Sequence, residues 1–228
     1  MSLSPHPRPT VAVDLAILTL ADGHLCVLLA NRPDAAVVGG DWALPGGFVH
    51  QGQPLTAAVE RVLNDKARLR DVHFEQLATF GDPGRDPRGH VISVTYLALC
   101  PPGSLPQPDG RDTCLARLVV DWPGEKGGPA RALGPDRQPL HLAFDHRAIL
   151  GEVVRRLRGK INYSDLAFAL LPPRFTLRAL QEVHEAVLGR RLTKPAFRRR
   201  MLDTGRLRAT GDYETGGAFR PAELYKTA

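Results

Sequence analysis

The stretch GGFVHQGQPLTAAVERVLNDKARL, Gly46 to Leu69, decides how this chain is to be read. With Pro45 before it, the stretch opens on a Pro-Gly-Gly turn, where residues without a Cβ let the backbone bend and approach its neighbours. From Pro54 to Lys66 the apolar residues Leu55, Ala58, Val59, Val62 and Leu63 recur at helical spacing, which predicts a helix with one buried stripe. Positions 62, 65 and 66 stand at i, i+3 and i+4 and share a helix face. Three carboxylates there could hold a divalent cation, because hard cations prefer carboxylate oxygens. The residues present are Val62, which offers no ligand, Asp65, and Lys66, which puts a positive charge where the cation would sit. An ordinary amphipathic helix after a Gly-Gly turn would show the same stripe, so the surroundings have to decide.

Upstream, VAVDLAILTL and LCVLLA flank Asp22-Gly23, the pattern of a β-hairpin. Arg32 to Asp41 reads as a loop. Downstream, Phe74–Phe80, Val91–Leu99 and Leu115–Val120 read as strands, with a shorter one near Ala130–Leu133. The segment GDPGRDPRGH between the first two is a Gly/Pro/Arg-rich loop, and Pro101–Gly110 and Pro123–Pro139 are surface loops. A helix is expected from Phe144–Ile149 to about Leu157.

In that setting, Gly46 to Leu69 resembles the Nudix box. Gly47, Arg61, Leu63 and Leu69 match the motif, whereas its glutamate positions read Gln53, Val62, Asp65 and Lys66 and its last glycine reads Arg68. The resemblance covers about Thr10 to Ile149. It implies a Nudix-like α/β/α sandwich. The missing carboxylates imply that metal-dependent hydrolysis has been lost and that no metal or cofactor is needed. A nucleotide-binding role survives without the metal. Arg32, Arg85 and Arg88 border the strands, and guanidinium forks match phosphate oxygens, although solvated loop arginines would look the same. Arg85 to Leu99, RDPRGHVISVTYLAL, is similar to the stretch of Nudix proteins that recognise ADP-ribose. Gly46 and Gly47 form the turn beside this site, and Trp42 and Phe48 either stack on a base or pack in the core.

Composition adds a second task. The chain has 228 residues, with 43% apolar and 24% charged, ordinary for a soluble globular protein. No apolar run approaches the roughly 18 residues that span a bilayer, so no membrane partner is expected. MSLSPHPRPT is too proline-rich for a signal peptide, and residues 1–9 are expected to be a disordered lead-in. Three cysteines, Cys26, Cys100 and Cys114, with no CxxC pair, fit a reducing cytoplasm. Charge is divided unevenly: residues 152–228 carry 16 Lys+Arg against 8 Asp+Glu, and residues 1–151 carry 14 against 16. The basic third is either a nucleic-acid-binding module or a solubilising surface.

The patterning of that third separates the two. Ser164 is placed to cap a short helix, SDLAFALL, ended by Pro172-Pro173; Thr176 to cap TLRALQEVHEAVL, closed by Gly189; and Thr193 to open TKPAFRRRMLDT, closed by Gly205. Two extended runs, LRAT and AFRPAELY, follow around a Gly-rich turn at Gly211–Gly217. Three helices and a hairpin in that order predict a winged helix-turn-helix. Its third helix would enter the major groove, with Thr193, Lys194, Arg198, Arg199 and Arg200 at phosphates or base edges. Arg206, Arg208 and Arg220 of the wing, and Lys160 and Asn162 before the first helix, would meet backbone phosphates. Residues 142–150 and 159–190, LAFDHRAIL and GKINYSDLAFALLPPRFTLRALQEVHEAVLGR, resemble the junction and DNA-binding domain of the Nudix-related transcriptional regulators, the NrtR family. The expected fold is therefore α+β, a Nudix-like sandwich over 10–157 followed by a winged helix-turn-helix over 158–228. The resemblance implies a homodimeric repressor of NAD-metabolism genes that binds a palindromic operator and releases it on binding ADP-ribose or a related nucleotide. An active nucleoside-diphosphate-sugar pyrophosphatase with a rearranged metal site is the alternative.

Overall fold

The computed structural model describes residues 8–38, 40–70, 72–214 and 221–228. The expected lead-in lies outside them apart from Arg8 and Pro9, as do Arg220 and the second half of the Gly211–Gly217 turn. In chain order the elements are β1 (Thr10–Ala21), β2 (His24–Asn31), α1 (Ala35–Val38), β3 (Trp42–Ala43), β4 (Gly46–Phe48), α2 (Leu55–Ala67), β5 (Phe74–Phe80), β6 (Val91–Leu99), β7 (Thr113–Val119), β8 (Arg131–Leu133) and α3 (His146–Lys160). They continue with α4 (Leu166–Ala169), β9 (Phe175–Thr176), α5 (Leu177–Leu188), α6 (Lys194–Asp203), β10 (Leu207–Tyr213) and β11 (Glu223–Thr227).

β1 organises the first sheet, whose strand order is β5-β6-β1-β2-β7-β8 with β3 on β2 and β4 on β1. Along one edge β1 runs parallel to β6, from Thr10 opposite Val91 to Leu18 opposite Leu99. Along the other it pairs antiparallel with β4, Asp14 opposite Gly46, and then with β2, Ala21 opposite His24. The hairpin turns at Asp22 and Gly23, whose φ values of 49° and 72° are those of the tight turn that matches strand twist. Strand alternation then sorts the core. Val13, Leu15 and Ile17 pack against Ala58, Val59, Val62 and Leu63 of α2. Ala16 and Leu18 face the other way, into the cluster holding Ile149, Leu150, Val153 and Leu157 of α3. A helix on each face of the sheet is the expected α/β/α sandwich.

The basic third folds as a winged helix, with a small sheet of order β10-β11-β9. Thr176 caps α5 by accepting from the Ala179 amide at 3.1 Å, and Gly189 ends it in the left-handed region at φ 68°. Pro195 occupies the first turn of α6. Two details differ from the sequence pattern. α4 has four residues, and Asp165, not Ser164, precedes it; the Ser164 hydroxyl instead donates to the Lys160 carbonyl at 2.8 Å and closes the end of α3. β9 was not expected, because a two-residue strand carries no period to detect.

α3 joins the halves. It continues through the boundary expected at 157/158, and one apolar cluster extends from Ala16 and Leu29 in the sheet to Leu180, Val187, Phe197 and Met201 in the winged helix. Arg158, buried in this seam, donates from Nε to the Val187 carbonyl at 3.0 Å and from Nη1 to the Trp122 and Gly124 carbonyls, each at 3.0 Å. Its guanidinium lies 4.9 Å from the Trp122 ring centroid. A cation at the carbonyl end of α5 is favoured by the helix dipole. Upstream on α3, a Cβ added to Gly151 would collide with the Gly128 carbonyl oxygen, whereas one added to Gly159 would meet only the flexible end of Glu125, at 3.0 Å. Gly151→Ala is therefore expected to lower stability by about 1–3 kcal/mol through overpacking. Gly159→Ala is expected to be neutral or stabilising, since alanine favours the helix by up to about 1 kcal/mol. Chemical denaturation of both variants checks the pair; equal effects would mean that α3 does not press on the 128–130 loop.

Candidate functional site

Two cavities meet at Gly46, which together with Gly47 forms part of strand β4 rather than the expected turn. The smaller, about 90 Å³, is lined by Asp14, Phe48, Arg85, Arg88, Phe144 and His146 among others. The larger, about 330 Å³, is lined by Arg32, Asp34, Pro45 and Lys66 among others. Arg32, Leu44 and Gly46 belong to both, so the two are neighbouring lobes of one depression. β4 is the thin partition beside it. A Cβ on Gly46 would collide with the Asp14 carboxylate and come within 2.8 Å of the Val13 carbonyl, and one on Gly47 would sit 3.4 Å from Val62 and 3.6 Å from Arg61. A wider groove of about 1090 Å³ lies at the seam between the halves. Its walls mix Arg117, Arg178 and Arg190 with Asp121, Glu182 and Glu185.

The floor of the smaller lobe is a buried ionic cluster. The Arg85 side chain, 3% exposed, donates to both Asp145 carboxylate oxygens at 2.9 and 2.6 Å and reaches Asp14 at 3.4 Å. Ser93 donates its hydroxyl to Asp14 at 2.6 Å. His146 accepts the Leu44 amide on Nδ1 at 3.0 Å, which leaves its Nε2 facing Asp14 at 3.7 Å, a charge contact too long for a hydrogen bond. Burial pushes the Asp14 carboxyl up, but the facing His146, the Ser93 bond and Arg85 together hold it below the usual carboxylate value. Asp14 is thus an anion in the fold. Over the rim, Phe144 adopts φ 56°, rare for a bulky residue, and its ring lies near two guanidiniums, Arg32 at 5.4 Å and Arg88 at 5.2 Å from the centroid.

The structure brings most of the expected effector residues together and changes what they are free to do. Arg32, Gly46, Gly47, Phe48, Arg85 and Arg88 all line the smaller lobe. Phe48 is 46% exposed, with Arg88 5.8 Å from its centroid. Trp42 lies outside both lobes and packs on the core through β3. Each arginine already holds carboxylates: Arg32 with Asp34 at 2.6 Å, Arg88 with Asp86 at 2.8 Å and Asp34 at 3.3 Å, and Arg85 with Asp145 and Asp14. Arg85 is a buried positioning group, whereas Arg32 and Arg88 keep exposed surface. The sequence pattern did not single out Asp14, Ser93, Phe144, Asp145 or His146. Only Asp14 left a signal, a lone acid in an apolar strand.

On α2, Val62 is 1% exposed and packed in the core, while Asp65 and Lys66 are exposed. The Asp65 carboxylate accepts from its neighbour Asn64 at 3.1 Å. No group of three His, Cys, Asp or Glu side chains among the described residues is placed to hold a metal ion. Of positions 62, 65 and 66, Asp65 alone carries a carboxylate.

At the other end of the molecule, α6 buries Phe197 and Met201 and exposes Arg198, Arg199 and Arg200. Thr193 precedes the helix without capping it through its side chain, so its hydroxyl is not committed there. Lys194 and Arg208 are partly to fully exposed, Asn162 is exposed in the turn after α3, and Lys160 is that helix's half-buried last residue. Arg206 differs from the others, because it pairs with Asp165 and lies 5.2 Å from the Phe168 centroid, clamping the wing to α4.

Residues 8–122 match the family described as the NUDIX domain, and residues 167–227 match the NrtR DNA-binding winged helix domain. The chain is 37% identical over 230 residues to the ADPR responsive transcriptional repressor NtrR of Acinetobacter baylyi, covering 99% of this chain and 84% of that one. The chain belongs to the NrtR family. The crystal structure of Shewanella oneidensis NrtR complexed with a 27mer DNA superposes with a TM-score of 0.74 at 30% identity, over 96% of this chain and 93% of that one. An ADP-ribose pyrophosphatase of Methanocaldococcus jannaschii is 30% identical over 152 residues, 67% of this chain and 77% of the other. The α+β fold with a Nudix-like part and a winged helix is thus shared along nearly the whole length of this NrtR protein.

The packing of α5 against α6 contains a titratable group. His184 of α5 is 2% exposed and meets the Phe197 ring of α6 edge-on at 5.0 Å. Burial, and then the charges of Arg200 and Arg206, push its pKa down from 6.5 to about 4. A histidine that binds its proton more weakly when folded contributes stability that is complete above pH 6.5 and is lost as pH falls towards 4. The loss expected over that window is up to about 3 kcal/mol. His184→Leu should flatten the decline of folding stability between pH 6.5 and 4, measured by denaturant titration. An unchanged slope would assign the proton uptake to another group.

Proposed function

We propose that this protein is a homodimeric, DNA-binding transcriptional repressor whose effector is ADP-ribose or a close relative, bound intact. Residues 158–228 bind a palindromic operator, and residues 10–157 bind the effector at the Gly46-Gly47 depression. The carrying observation is the pairing of two features in one chain. An exposed Arg198-Arg199-Arg200 row stands on a helix anchored by Phe197 and Met201, and an arginine-lined cavity lies beside a helix without metal-binding carboxylates. The name of the Acinetobacter relative and the DNA complex of the Shewanella protein support the same reading.

In this reading Arg32 and Arg88 exchange carboxylate partners for effector phosphate, Gly46 and Gly47 let the ligand approach the backbone, and Phe48 or Phe144 stacks on a ring. Arg85 positions the floor. Thr193, Lys194, Arg198, Arg199, Arg200 and Arg208 contact DNA, with Lys160 and Asn162 at the flank. The chain works in the cytoplasm on genes of NAD metabolism. α3 carries the signal, since His146 at its start lines the effector cavity, Asp145 before it holds Arg85 of the cavity floor, and Arg158 near its end holds the last turn of α5. An effector that binds one arrangement of that helix better than the other shifts the balance between them.

A mobility shift on the promoter of the protein's own gene and on NAD-gene promoters, with and without ADP-ribose, tests the core of this. Saturating ADP-ribose is expected to weaken operator binding by about 5–150-fold, the usual range of coupling between sites, and operator DNA should weaken ADP-ribose binding by the same factor. Unchanged operator affinity would sink the proposed effector. Alanine at Arg198, Arg199 or Arg200 should weaken binding and lower the slope of log affinity against log salt by about one for each phosphate left without its cation. The pyrophosphatase relative favours one competing reading, an enzyme that cleaves ADP-ribose. Release of AMP on incubation with ADP-ribose and Mg²⁺ or Mn²⁺ would establish it.

A further inference from the structure

Lys66 stands apart from the other cations of the site. It lines the larger lobe together with Arg32, Asp34, Pro45 and Gly46. Arg32, Arg85 and Arg88 are each already matched by carboxylates within 3.4 Å. Among the described residues Lys66 has no carboxylate within ion-pair distance, so its charge is still to be answered. It sits in the last turn of α2, one turn after Val62, whose side chain is buried and offers no ligand. A diphosphate laid across Gly46 would bring about two negative charges into a depression whose arginines are largely neutralised, beside a helix face whose one carboxylate is Asp65.

We infer that the Lys66 ammonium takes the place of a metal ion in this site, neutralising the diphosphate of a nucleotide ligand directly and making its binding independent of divalent cations. The inference rests on the proposed effector site and adds to it a binding residue and a metal requirement. The chemistry suits the outcome. An ammonium neutralises phosphate oxygens and donates hydrogen bonds to them, but it does not activate a water molecule as a bound cation does. A ligand held this way is neutralised without being prepared for attack. Lys66 is exposed in the unliganded chain, so its replacement leaves the core untouched.

Calorimetric titration of the full-length protein with ADP-ribose, in EDTA and in Mg²⁺, tests this. The wild-type Kd is expected to be the same in both within about twofold. Lys66→Met, which keeps the alkyl stem and removes the charge, should weaken binding about tenfold or more, the scale of one charge-assisted contact. It should do so with an unchanged melting temperature and unchanged operator affinity in the absence of ADP-ribose. Lys66→Glu should bind more weakly still in EDTA and regain part of the loss in Mg²⁺, since it pairs a second carboxylate with Asp65 on the same face. Lys66→Met binding as tightly as wild type, or a wild-type protein that needs Mg²⁺ to bind, would overturn the inference and leave the effector reading standing. A wild-type protein that binds ADP-ribose in neither buffer would overturn both.

Discussion

The contact on which the rest of this molecule depends is the fork of Arg85 between Asp145 and Asp14. It is made from three segments that share no local structure: the central strand β1, the loop between β5 and β6, and the entry to α3. Burying such charges is costly, and removing one partner of a buried pair costs more than the intact pair contributes. The cluster is therefore a constraint more than a source of stability. It obliges the 85–88 loop, β1 and the start of α3 to keep one arrangement, because every alternative leaves a buried charge unanswered. The cavity exists because that arrangement is held, with Gly46 pressed onto the Asp14 carboxylate and Phe144 held at positive φ above it.

The same helix is pinned at its other end by a different device. Among the described residues Arg158 forms no ion pair, and it is satisfied by three carbonyls, of Val187, Trp122 and Gly124. A buried cation bound only to carbonyls is sensitive to where those carbonyls stand. A shift of α5 against α3 that broke one bond would leave part of the guanidinium unsatisfied, at a cost of about 1–3 kcal/mol. Between the two pins, α3 buries Ile149, Leu150, Val153, Val154 and Leu157 at 3% exposure or less, and its Gly151 lies against the 128 loop. A helix so packed moves as a unit or not at all. That gives the proposed effector a physical route to the winged helix without any chain of small rearrangements.

How much of this was legible in the sequence follows from what a one-dimensional pattern encodes. The α2 stripe, the Asp22-Gly23 hairpin, the longer strands β1, β2, β5, β6 and β7 and the caps at Thr176 and Gly189 all show local periodicity or local backbone chemistry, and each stands close to where the pattern put it; α1 and β4 fall where the pattern read a loop and a turn, and β3 is too short to show a period. The face that Val62, Asp65 and Lys66 share on α2 was readable for the same reason, since i, i+3 and i+4 on a helix fix a face without further knowledge. The cavity floor was not readable. Arg85 meets Asp14 across 71 positions and Asp145 across 60, and nothing in the composition of either segment names its partner. Phe144 could not be anticipated either, because a positive φ at a bulky residue is imposed by tertiary packing and not by its own preference. Trp42 and Arg206 show the converse. An aromatic beside the glycine turn and an arginine in the wing suited the proposed contacts by position, and both are taken up by the protein's own interior and ion pairs.

The carboxylates, rather than the arginines, bear most on how a ligand would act here. An arginine that exchanges Asp34 or Asp86 for a phosphate keeps an anion beside it, so its own electrostatic state changes little. The released carboxylate does change state: it loses its counter-ion next to an entering polyanion and must turn outwards or draw its loop with it. Asp34 shares the loop of Arg32, and Asp86 lies between Arg85 and Arg88. Displacing Asp86 therefore pulls on the loop that holds the buried fork to Asp145, and displacing Asp34 pulls on the same loop through its bond to Arg88. A ligand that bound without disturbing those acids would have equal affinity for both arrangements of α3 and, however tight, would shift nothing. Carboxylates that look like competitors for the ligand phosphate are thus what would give its binding a mechanical consequence. A site of bare arginines would bind more strongly and signal less.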